Sequence, residues 1–580
     1  MEKLSNMRHT LAHLLAASVG EIYKFDKIKL TLGPAIENGF YYDIDFCEEK
    51  ITDANLKKIE DVMKKKLPKW TDWEHKEISK DEALKFFKNE YKAELINEIA
   101  ERGEKITTYT CGGFTDLCRG GHLKNPAEEI NSDAFKLDRI AGAYWRGDEK
   151  NKMLTRIYGL AFPTKEELDT FLIQREEASK RDHKKIGQEL DLFTFSELVG
   201  AGLPLFTPKG TTMRDLLDGF VWELRKTAGY EKVDIPHITK KELYEKSGHW
   251  DKFKDDLFRI NTREDHVFAM KPMNCPHHTQ IYNRRQWSYK ELPQRYANTT
   301  KVYRDEQTGE LNGLSRVRSI TQDDAHVFCR LTDASGEMEK IYNIVKTFYG
   351  AFGFSLTPRL SLHDPKNMKA YLGTEEIWIN AEKALREIIK KSGEKAIEAL
   401  GEAAFYGPKI DFMAKDAIGR EHQVATIQLD MNMPERFDLY CINEKGEQER
   451  IVMIHAAIMG SIERFLSILI EHTAGAFPLW LSPVQVKVIP VRENHNEYAK
   501  EVFEMLKQNN IRTELNDADE NLGTKVRDAK NKKIPYWIVI GDKEIEAKKV
   551  TLESRDNGQL GQMEKEDLVK KLLEEKKNKK

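Results

Sequence analysis

The stretch Thr299–Cys329, TTKVYRDEQTGELNGLSRVRSITQDDAHVFC, constrains the fold more than any other. Two apolar-flanked ends, Lys301–Tyr303 and Val327–Cys329, enclose a polar middle rich in glycine and charge, so it reads as two strands and their connecting loop. Arg304, Glu306, Arg316 and Arg318 crowd into that loop. Arginine is always charged, and its planar fork matches phosphate oxygens two at a time. Arginines raised from a sheet around one carboxylate suit a nucleotide triphosphate or an acyl phosphate, with Glu306 left to take an amino group. The run Gln322-Asp323-Asp324-Ala325-His326 carries polarity on into the second strand. From these residues alone, a salt-bridged surface hairpin is the competing reading.

Composition sets the frame around this hairpin. A chain of 580 residues should hold about three or four domains. Lys+Arg number 93 and Asp+Glu 96, so global charge does not point to nucleic acid, and any RNA surface must be a local patch. No apolar run approaches the ~20 residues that span a bilayer. The start, MEKLSNMRHTLAHLLAA, reads as a folded helix and not a signal peptide. Six scattered cysteines make no disulfide framework, which predicts a reducing, cytoplasmic setting. The basic tail Lys576–Lys580 is expected to be solvated.

The hairpin with TQDDAHVF resembles motif 2 of the class II aminoacyl-tRNA synthetases, specifically the threonyl-tRNA synthetases, and the resemblance extends over nearly the whole chain. It implies a multidomain α+β and α/β protein: an α+β editing domain over 1–163, a linker helix over 164–190, a class II antiparallel-sheet catalytic domain over 191–480 and a C-terminal α/β anticodon-binding domain over 481–580. Bacterial members usually begin with a small ubiquitin-like domain, which this chain is expected to lack.

In the first domain, Leu11, Leu14, Leu15, Val19 and Ile22 recur at helical spacing. His9 and His13, four residues apart, share one side of that helix. Cys118-Arg119-Gly120-Gly121-His122 adds a Cys and a His in a glycine-rich loop. The set could hold zinc, or form a metal-free pocket whose imidazoles orient a water. HTLAHLLA, ENGFYYD, DLCRGGH and FKLDRIAGAYWRGDEKNKMLTRIYG resemble the editing domain of threonyl enzymes, related to that of alanyl enzymes. The resemblance favours the metal-free pocket. It implies that His9, His13, Asp116, Cys118 and His122 serve hydrolysis of serine misattached to tRNA. Gly121 stands where proline is usual. The charged stretch Thr164–Leu190 opens with a capping signal and predicts one long helix between domains.

In the catalytic domain, GYEKVDIPHI is an extended segment punctuated by Pro236. It resembles motif 1, which builds the dimer interface of class II enzymes, and so implies a homodimer. Cys275 lies between two prolines in Met270–His278, and His455 sits in the apolar run IVMIHAAIMG. No spacing links them to His326. The resemblance does: it implies that Cys275, His326 and His455 bind one zinc ion per subunit in the amino-acid pocket. The family's MNCPGH reads MNCPHH here, placing His277 beside Cys275. Met273, Gln322, Asp324, Tyr406, Lys409, Gln423 and Gln428 are the implied substrate contacts, with Ala425 where glycine is usual. The segment Gly460-Ser461-Ile462-Glu463-Arg464 resembles motif 3. Arg304, Glu306, Arg316 and Arg464 are thus expected around ATP and its Mg²⁺.

A metal there makes chemical sense. Valine is nearly isosteric with threonine, and a hydrophobic pocket separates such pairs by only ~10²-fold. Zinc with three protein ligands keeps positions open, which a threonine hydroxyl can fill and valine cannot. Asp324, next to His326, is placed to accept from the same hydroxyl. Serine has the hydroxyl too, and losing one methyl is worth only ~1–3 kcal/mol, so a second, hydrolytic site is needed.

After Pro483, β-rich and amphipathic helical runs alternate, predicting a separate α/β domain with a mostly parallel sheet. It resembles the anticodon-binding domain of threonyl, prolyl, histidyl and glycyl enzymes, with Glu520, Lys525 and Arg527 as implied anticodon contacts. The combined expectation is a ligase joining L-threonine to tRNA(Thr) with ATP and clearing Ser-tRNA(Thr). A non-enzymatic RNA-binding paralogue and a zinc hydrolase with a vestigial ligase half are the rivals.

Overall fold

The computed structural model describes residues 2–47 and 49–579. The chain divides into two compact units, Met1–Glu176 and Glu177–Lys580. Among the described residues, no helix is long and apolar enough to cross a membrane.

In the first unit the helix Glu2–Tyr23 is buried almost all round from Thr10 to Gly20. Leu11, Leu14, Leu15 and Val19 are fully enclosed, as their spacing predicts, while Ile22 stays half-buried. This helix packs into one core with an antiparallel sheet ordered Lys29–Leu30, Gly39–Asp45, Met153–Ala161, Phe135–Tyr144. A second sheet pairs Glu74–Glu77, Thr107–Cys111 and Phe114–Leu117.

The second unit is built on a sheet whose order is Glu231–Lys232, Gln294–Tyr303, Ser319–Cys329, Val452–Ser461, Glu421–Asp430, Lys409–Lys415, Ser355–Leu362, Ile397–Leu400. Its pairings are antiparallel except at the two edges, where Glu231–Lys232 and Ile397–Leu400 run parallel to their neighbours. Gln294–Tyr303 and Ser319–Cys329 form the hairpin read from the sequence. Helices Pro208–Thr227, Leu331–Gly350, Glu375–Ser392 and Ile462–Thr473 bury Met213, Leu217, Ile341, Val345, Leu385 and Leu469 in the core of this sheet. Side chains alternate along a strand, so the opposite set of residues lies on the other face.

Three expectations need correction. The single linker helix over 164–190 is two helices, Lys165–Lys180 and His183–Glu189. Asp182 leaves the helical region and accepts from Lys184 N at 2.8 Å, because a short carboxylate competes for backbone amides and restarts the helix as its cap. The terminal sheet, Thr513–Leu515, Val486–Pro490, Tyr536–Ile540, Val550–Ser554, Gly558–Met563, is mixed and not mostly parallel. Its first pairings are parallel, but Val550–Ser554 and Gly558–Met563 form a hairpin, since so short a turn cannot make the crossover that parallel strands need. The basic tail is also more engaged than expected. The helix Lys565–Lys577 ends with the Lys576 ammonium donating to Asn510 O at 2.8 Å. The Lys579 ammonium lies 3.5 Å from Glu223 and over the rings of Phe220 and Trp480. Lys580 lies outside the described residues.

Candidate functional site

Sheet register brings distant residues into rows. His326 pairs with His455, His455 with Gln428, and Gln428 with Lys409. Two residues along, Asp324 pairs with Ala457, Ala457 with Thr426, and Thr426 with Asp411. Steps of two residues keep both rows on one face. A bulge between Gln322 and Asp324 closes the pattern. There the Asp323 carboxylate accepts from Ile458 N at 2.9 Å and Met459 N at 3.0 Å, satisfying amides that the disrupted ladder would orphan.

Cys275 reaches this face from the first turn of the helix Cys275–Tyr282, with Pro276 just behind it. One ligand atom from each of Cys275, His326 and His455 lies within 4.8 Å of the others, and all three residues are buried. His326 Nε2 is 3.1 Å from His455 Nδ1. The outer nitrogens are anchored: His455 Nε2 lies 2.9 Å from Asp430 Oδ2, and His326 Nδ1 2.8 Å from His278 Nδ1. A buried Cys/His/His set with oriented outer partners fits a zinc ion, for which three protein ligands would leave a position open. Burial pushes the Cys275 thiol far up, and the nearby Asp324 and Asp430 carboxylates add to it. Around the set, the Tyr406 ring stacks on His455 with centroids 4.9 Å apart, and its hydroxyl donates to Gln428 Oε1. Asn274 donates to Asp324 Oδ2 at 3.1 Å, and Asp324 Oδ1 is 3.7 Å from His326 Nε2. Lys409 pairs with the buried Asp411 at 2.8 Å, and Gln423 donates to that carboxylate at 2.8 Å.

Next to this pocket a cleft is lined by Arg304, Glu306, Arg316, Gln322, Gln423 and Arg464. Arg304 Nη2 donates to the Met273 sulfur at 3.4 Å, while its Nε is buried without a partner. A buried, unpaired guanidinium nitrogen is costly unless a ligand completes it. Arg316 is exposed and forks onto Glu306 and Glu310. Arg464 stands in the first turn of Ile462–Thr473, where Ser461 caps its amide at 3.2 Å. Met273, Asp324, Tyr406, Lys409 and Gln428 thus fall in the pocket or at its rim, and Arg304 and Arg316 of the loop fall in the cleft, while Arg318 instead donates to Glu306 O and Ala201 O.

A second site lies in the first unit. His9, His13, Cys118 and His122 each turn one ligand atom to within 4.8 Å of the rest. His13 Nε2 is 3.2 Å from His9 Nε2, and Cys118 Sγ is 3.3 Å from His122 Nε2. Asp116 lies behind them, fully buried, with Oδ2 3.2 Å from His13 Nδ1. Burial alone would push the His13 imidazole down; the Asp116 carboxylate and Cys118 sulfur overcome it and bring it to about 9. Burial would raise the Cys118 thiol, but His122, His13 and His9 pull it to about 3. The pocket therefore holds a thiolate and an imidazolium at neutral pH. Gly121 takes φ +85°, and its carbonyl lies 3.3 Å from His9 Nδ1, so this glycine supplies a left-handed turn.

Residues beyond the sequence reading complete both sites. Tyr42 donates to Asp116 Oδ2 at 2.6 Å, and the buried Lys92 ammonium also pairs with Asp116. Trp73 stacks on His122 with centroids 3.9 Å apart. Asp430, His278 and Thr426 back the sheet site. Only strand parity gave a hint of Thr426 and Asp430, both of which share the face of Gln428.

In the terminal domain Glu520 and Arg527 are exposed on and beside the helix Leu522–Asn531. Lys525 is not displayed: it is buried, and its ammonium donates to Pro490 O at 3.1 Å.

Comparison with known proteins bears on all these parts. A family profile described as tRNA synthetase class II core domain (G, H, P, S and T) matches residues 258–473. One described as an anticodon binding domain matches 485–575, and one described as the threonyl and alanyl tRNA synthetase second additional domain matches 106–158. The chain is 48% identical over 557 residues to a threonine–tRNA ligase of Flavobacterium johnsoniae, spanning 95% of this chain and 85% of that protein. It is 49% identical over 562 residues to one of Porphyromonas gingivalis, spanning 96% and 85%. Among solved structures, it resembles the RNA binding domain of threonyl-tRNA synthetase from Cryptosporidium parvum Iowa II, with a TM-score of 0.64 and 36% identity, covering 68% of this chain and 98% of that one. It also resembles the threonyl-tRNA synthetase ThrRS-1 of Aeropyrum pernix, with a TM-score of 0.63 and 29% identity, covering 69% and 97%.

Proposed function

The chain belongs to the threonine–tRNA ligase family, and on that premise we propose how its two sites divide the work. It is a class II ligase that joins threonine to tRNA, and it carries the editing-type domain of the family. The observation that carries the reading is the row His326–His455 with Cys275 beside it and Asp324 at its edge.

Zinc held by Cys275, His326 and His455 would offer open coordination positions to the amino and hydroxyl groups of threonine, which valine cannot fill. Asp324 offers a buried carboxylate to the same hydroxyl, and Asn274 keeps that carboxylate aimed. Tyr406 and Gln428 hold each other and wall the pocket. Arg304, enclosed with its Nε free, meets the α-phosphate as the threonine carboxylate attacks it, while Arg316 and Arg464 take the outer phosphates. Arg316 must then leave Glu306, freeing that carboxylate for the substrate's amino group. Mg²⁺ enters with ATP. No side-chain nucleophile is required, because position and charge carry both activation and transfer to the tRNA ribose.

The amino-terminal pocket removes serine. Its imidazoles orient a water, Asp116 favours the charged form of His13, and Lys92 keeps that carboxylate ionised. Glu520 and Arg527 face anticodon bases, and Lys525 braces the end of the strand Val486–Pro490 beneath them. The functional division is 1–163 for editing, 164–190 as linker, 191–480 for activation and 481–580 for the anticodon. The working form is a cytoplasmic homodimer.

Threonine-dependent ATP–pyrophosphate exchange, run with metal analysis on the same sample, tests the reading. One zinc per chain and exchange with threonine but not valine is expected. Folded, zinc-loaded protein without exchange would overturn it in favour of a non-enzymatic RNA-binding role.

A further inference from the structure

Among the described residues the mechanism leaves several buried histidines unused, and one of them, His183, reaches the arginine loop. His183 opens the short helix His183–Glu189, 3% of its side chain is exposed, and both ring nitrogens are engaged. Nδ1 lies 2.6 Å from Glu471 Oε1, and Nε2 accepts from the backbone amide of Leu314 at 3.1 Å. Asp182, His183 and Glu471 cluster closely enough to suggest a cation site. The Leu314 amide rules that out as the resting role: it needs a bare Nε2, which puts the ring proton on Nδ1, the nitrogen that faces both carboxylates and that a cation would need. An amide only donates, so Nε2 must be bare and the proton must sit on Nδ1, where Glu471 accepts it. Arg420 holds the far oxygen of Glu471 at 2.6 Å, fixing the carboxylate that fixes the ring.

Leu314 belongs to the loop that carries the arginines. Asn312 and Arg316 close a turn around it, with Asn312 N donating to Arg316 O at 3.2 Å and Arg316 N to Asn312 O at 3.3 Å. The Leu314 side chain is buried in the same core as Ile186 and Leu190 of the short helix. Lys184 adds a bond to Asn312 Oδ1 at 3.2 Å. Between them Gly313 sits at φ +51°, and a Cβ there would fall 2.3 Å from His183 Nε2. The turn is thus shaped to the imidazole: the glycine leaves space for the ring, and the next amide bonds it.

Resting on the reading of Arg316 as a phosphate ligand, we propose that His183, held in its Nδ1–H form by Glu471, is a positioning residue that sets the turn presenting Arg316 to ATP. The second helix of the linker thereby holds the nucleotide loop without touching substrate. Loss of the ring frees the turn and weakens ATP binding, while the threonine pocket, built on the paired strands and not on the loop between them, keeps its affinity.

Calorimetric affinities for ATP and for threonine, measured separately on the full-length protein, test this. His183→Ala is expected to weaken ATP about tenfold or more and to change threonine by less than about twofold, with zinc content unchanged. His183→Gln, which restores an acceptor near Nε2, should recover most of the ATP affinity. Gly313→Ala attacks the same contact from the loop side, and should reproduce the ATP-selective loss if His183→Ala does not fold. Equal weakening of both ligands, or unchanged ATP affinity in a folded variant, overturns the proposal. Because ATP binding is read without turnover, a parent protein that binds ATP yet lacks exchange would count against the proposed function and not against this positioning role.

Discussion

Replacing Asp116 by asparagine isolates the charge arrangement of the editing pocket. In the parent, the His13 imidazole rises from 6.5 to about 9 despite complete burial, which is worth roughly 3 kcal/mol at about 1.36 kcal/mol per pH unit. Asp116 supplies the main opposing force, with Cys118 behind it. Asparagine keeps the shape but removes the charge, so burial dominates and His13 becomes neutral. Cys118 then loses one of three imidazole partners, and its thiol climbs from about 3 by ~1–3 pH units. Alkylation by iodoacetamide, followed peptide by peptide, reads this directly, with the exposed Cys47 as internal reference. Parent Cys118 should react at a rate nearly flat from pH 5 to 8; in the variant the rate should climb with pH over the lower part of that range. Deacylation of Ser-tRNA(Thr) should fall ~10²–10⁴-fold. Stability carries its own signature. A raised histidine stabilises the fold fully below 6.5 and loses that contribution as pH rises through about 9. A depressed carboxylate stabilises above its ordinary 3.8 and loses that as pH falls. The gap in melting temperature between parent and variant should therefore be widest from about pH 4 to 6.5 and narrow above 9, without closing, since Lys92 still needs the carboxylate. An unchanged alkylation profile for Cys118 would refute the electrostatic reasoning.

Cys275→Ser should release zinc and abolish threonine activation; full exchange activity in a zinc-free variant, checked by elemental analysis, would remove the metal from the account. Asp324→Ala should lower the preference for threonine over valine in exchange by about tenfold or more, leaving zinc bound. His9→Ala combined with His13→Ala should leave charging intact while Ser-tRNA(Thr) accumulates, and serine products as low as in the parent would locate editing elsewhere. Lys525→Met should destabilise the terminal domain by ~1–3 kcal/mol through the unpaired Pro490 carbonyl, seen as an earlier step in urea unfolding.

What could be read from residues alone differs sharply between the sites. The Thr299–Cys329 hairpin was legible because strand, loop and strand are contiguous, and its register follows from the polar–apolar pattern. Cys275, His326 and His455 were not legible from spacing, because a sheet joins them through strand order, and order between Ser319–Cys329 and Val452–Ser461 leaves no local mark. Lys92 and Tyr42 were missed for a related reason: each looks like an ordinary surface residue until the buried Asp116 is found between them. The linker break at Asp182 carried a signal, an aspartate ahead of an apolar-periodic run, that helical composition on both sides concealed. The parallel reading of the terminal sheet failed where two strands followed one another without a helix long enough to cross over.

The two sites also limit each other. On the proposed reading the sheet pocket would distinguish threonine by its hydroxyl, using polar groups that valine would leave unpaired. That form of rejection is strong, because a buried, unsatisfied group is costly. It does nothing against serine, which satisfies every polar group and only leaves a methyl-sized gap, worth ~1–3 kcal/mol. Tightening the wall made by Tyr406 and Gln428 would gain little, since no contact can reject an amino acid for being smaller. The remaining discrimination must therefore come from a second, hydrolytic pocket, which admits the smaller serine and can exclude threonine for its extra methyl. A thiolate held by His122, His13 and His9 and an imidazolium held by Asp116, far along the sequence from the arginine loop, supply charged groups of the kind hydrolysis requires and adenylation does not.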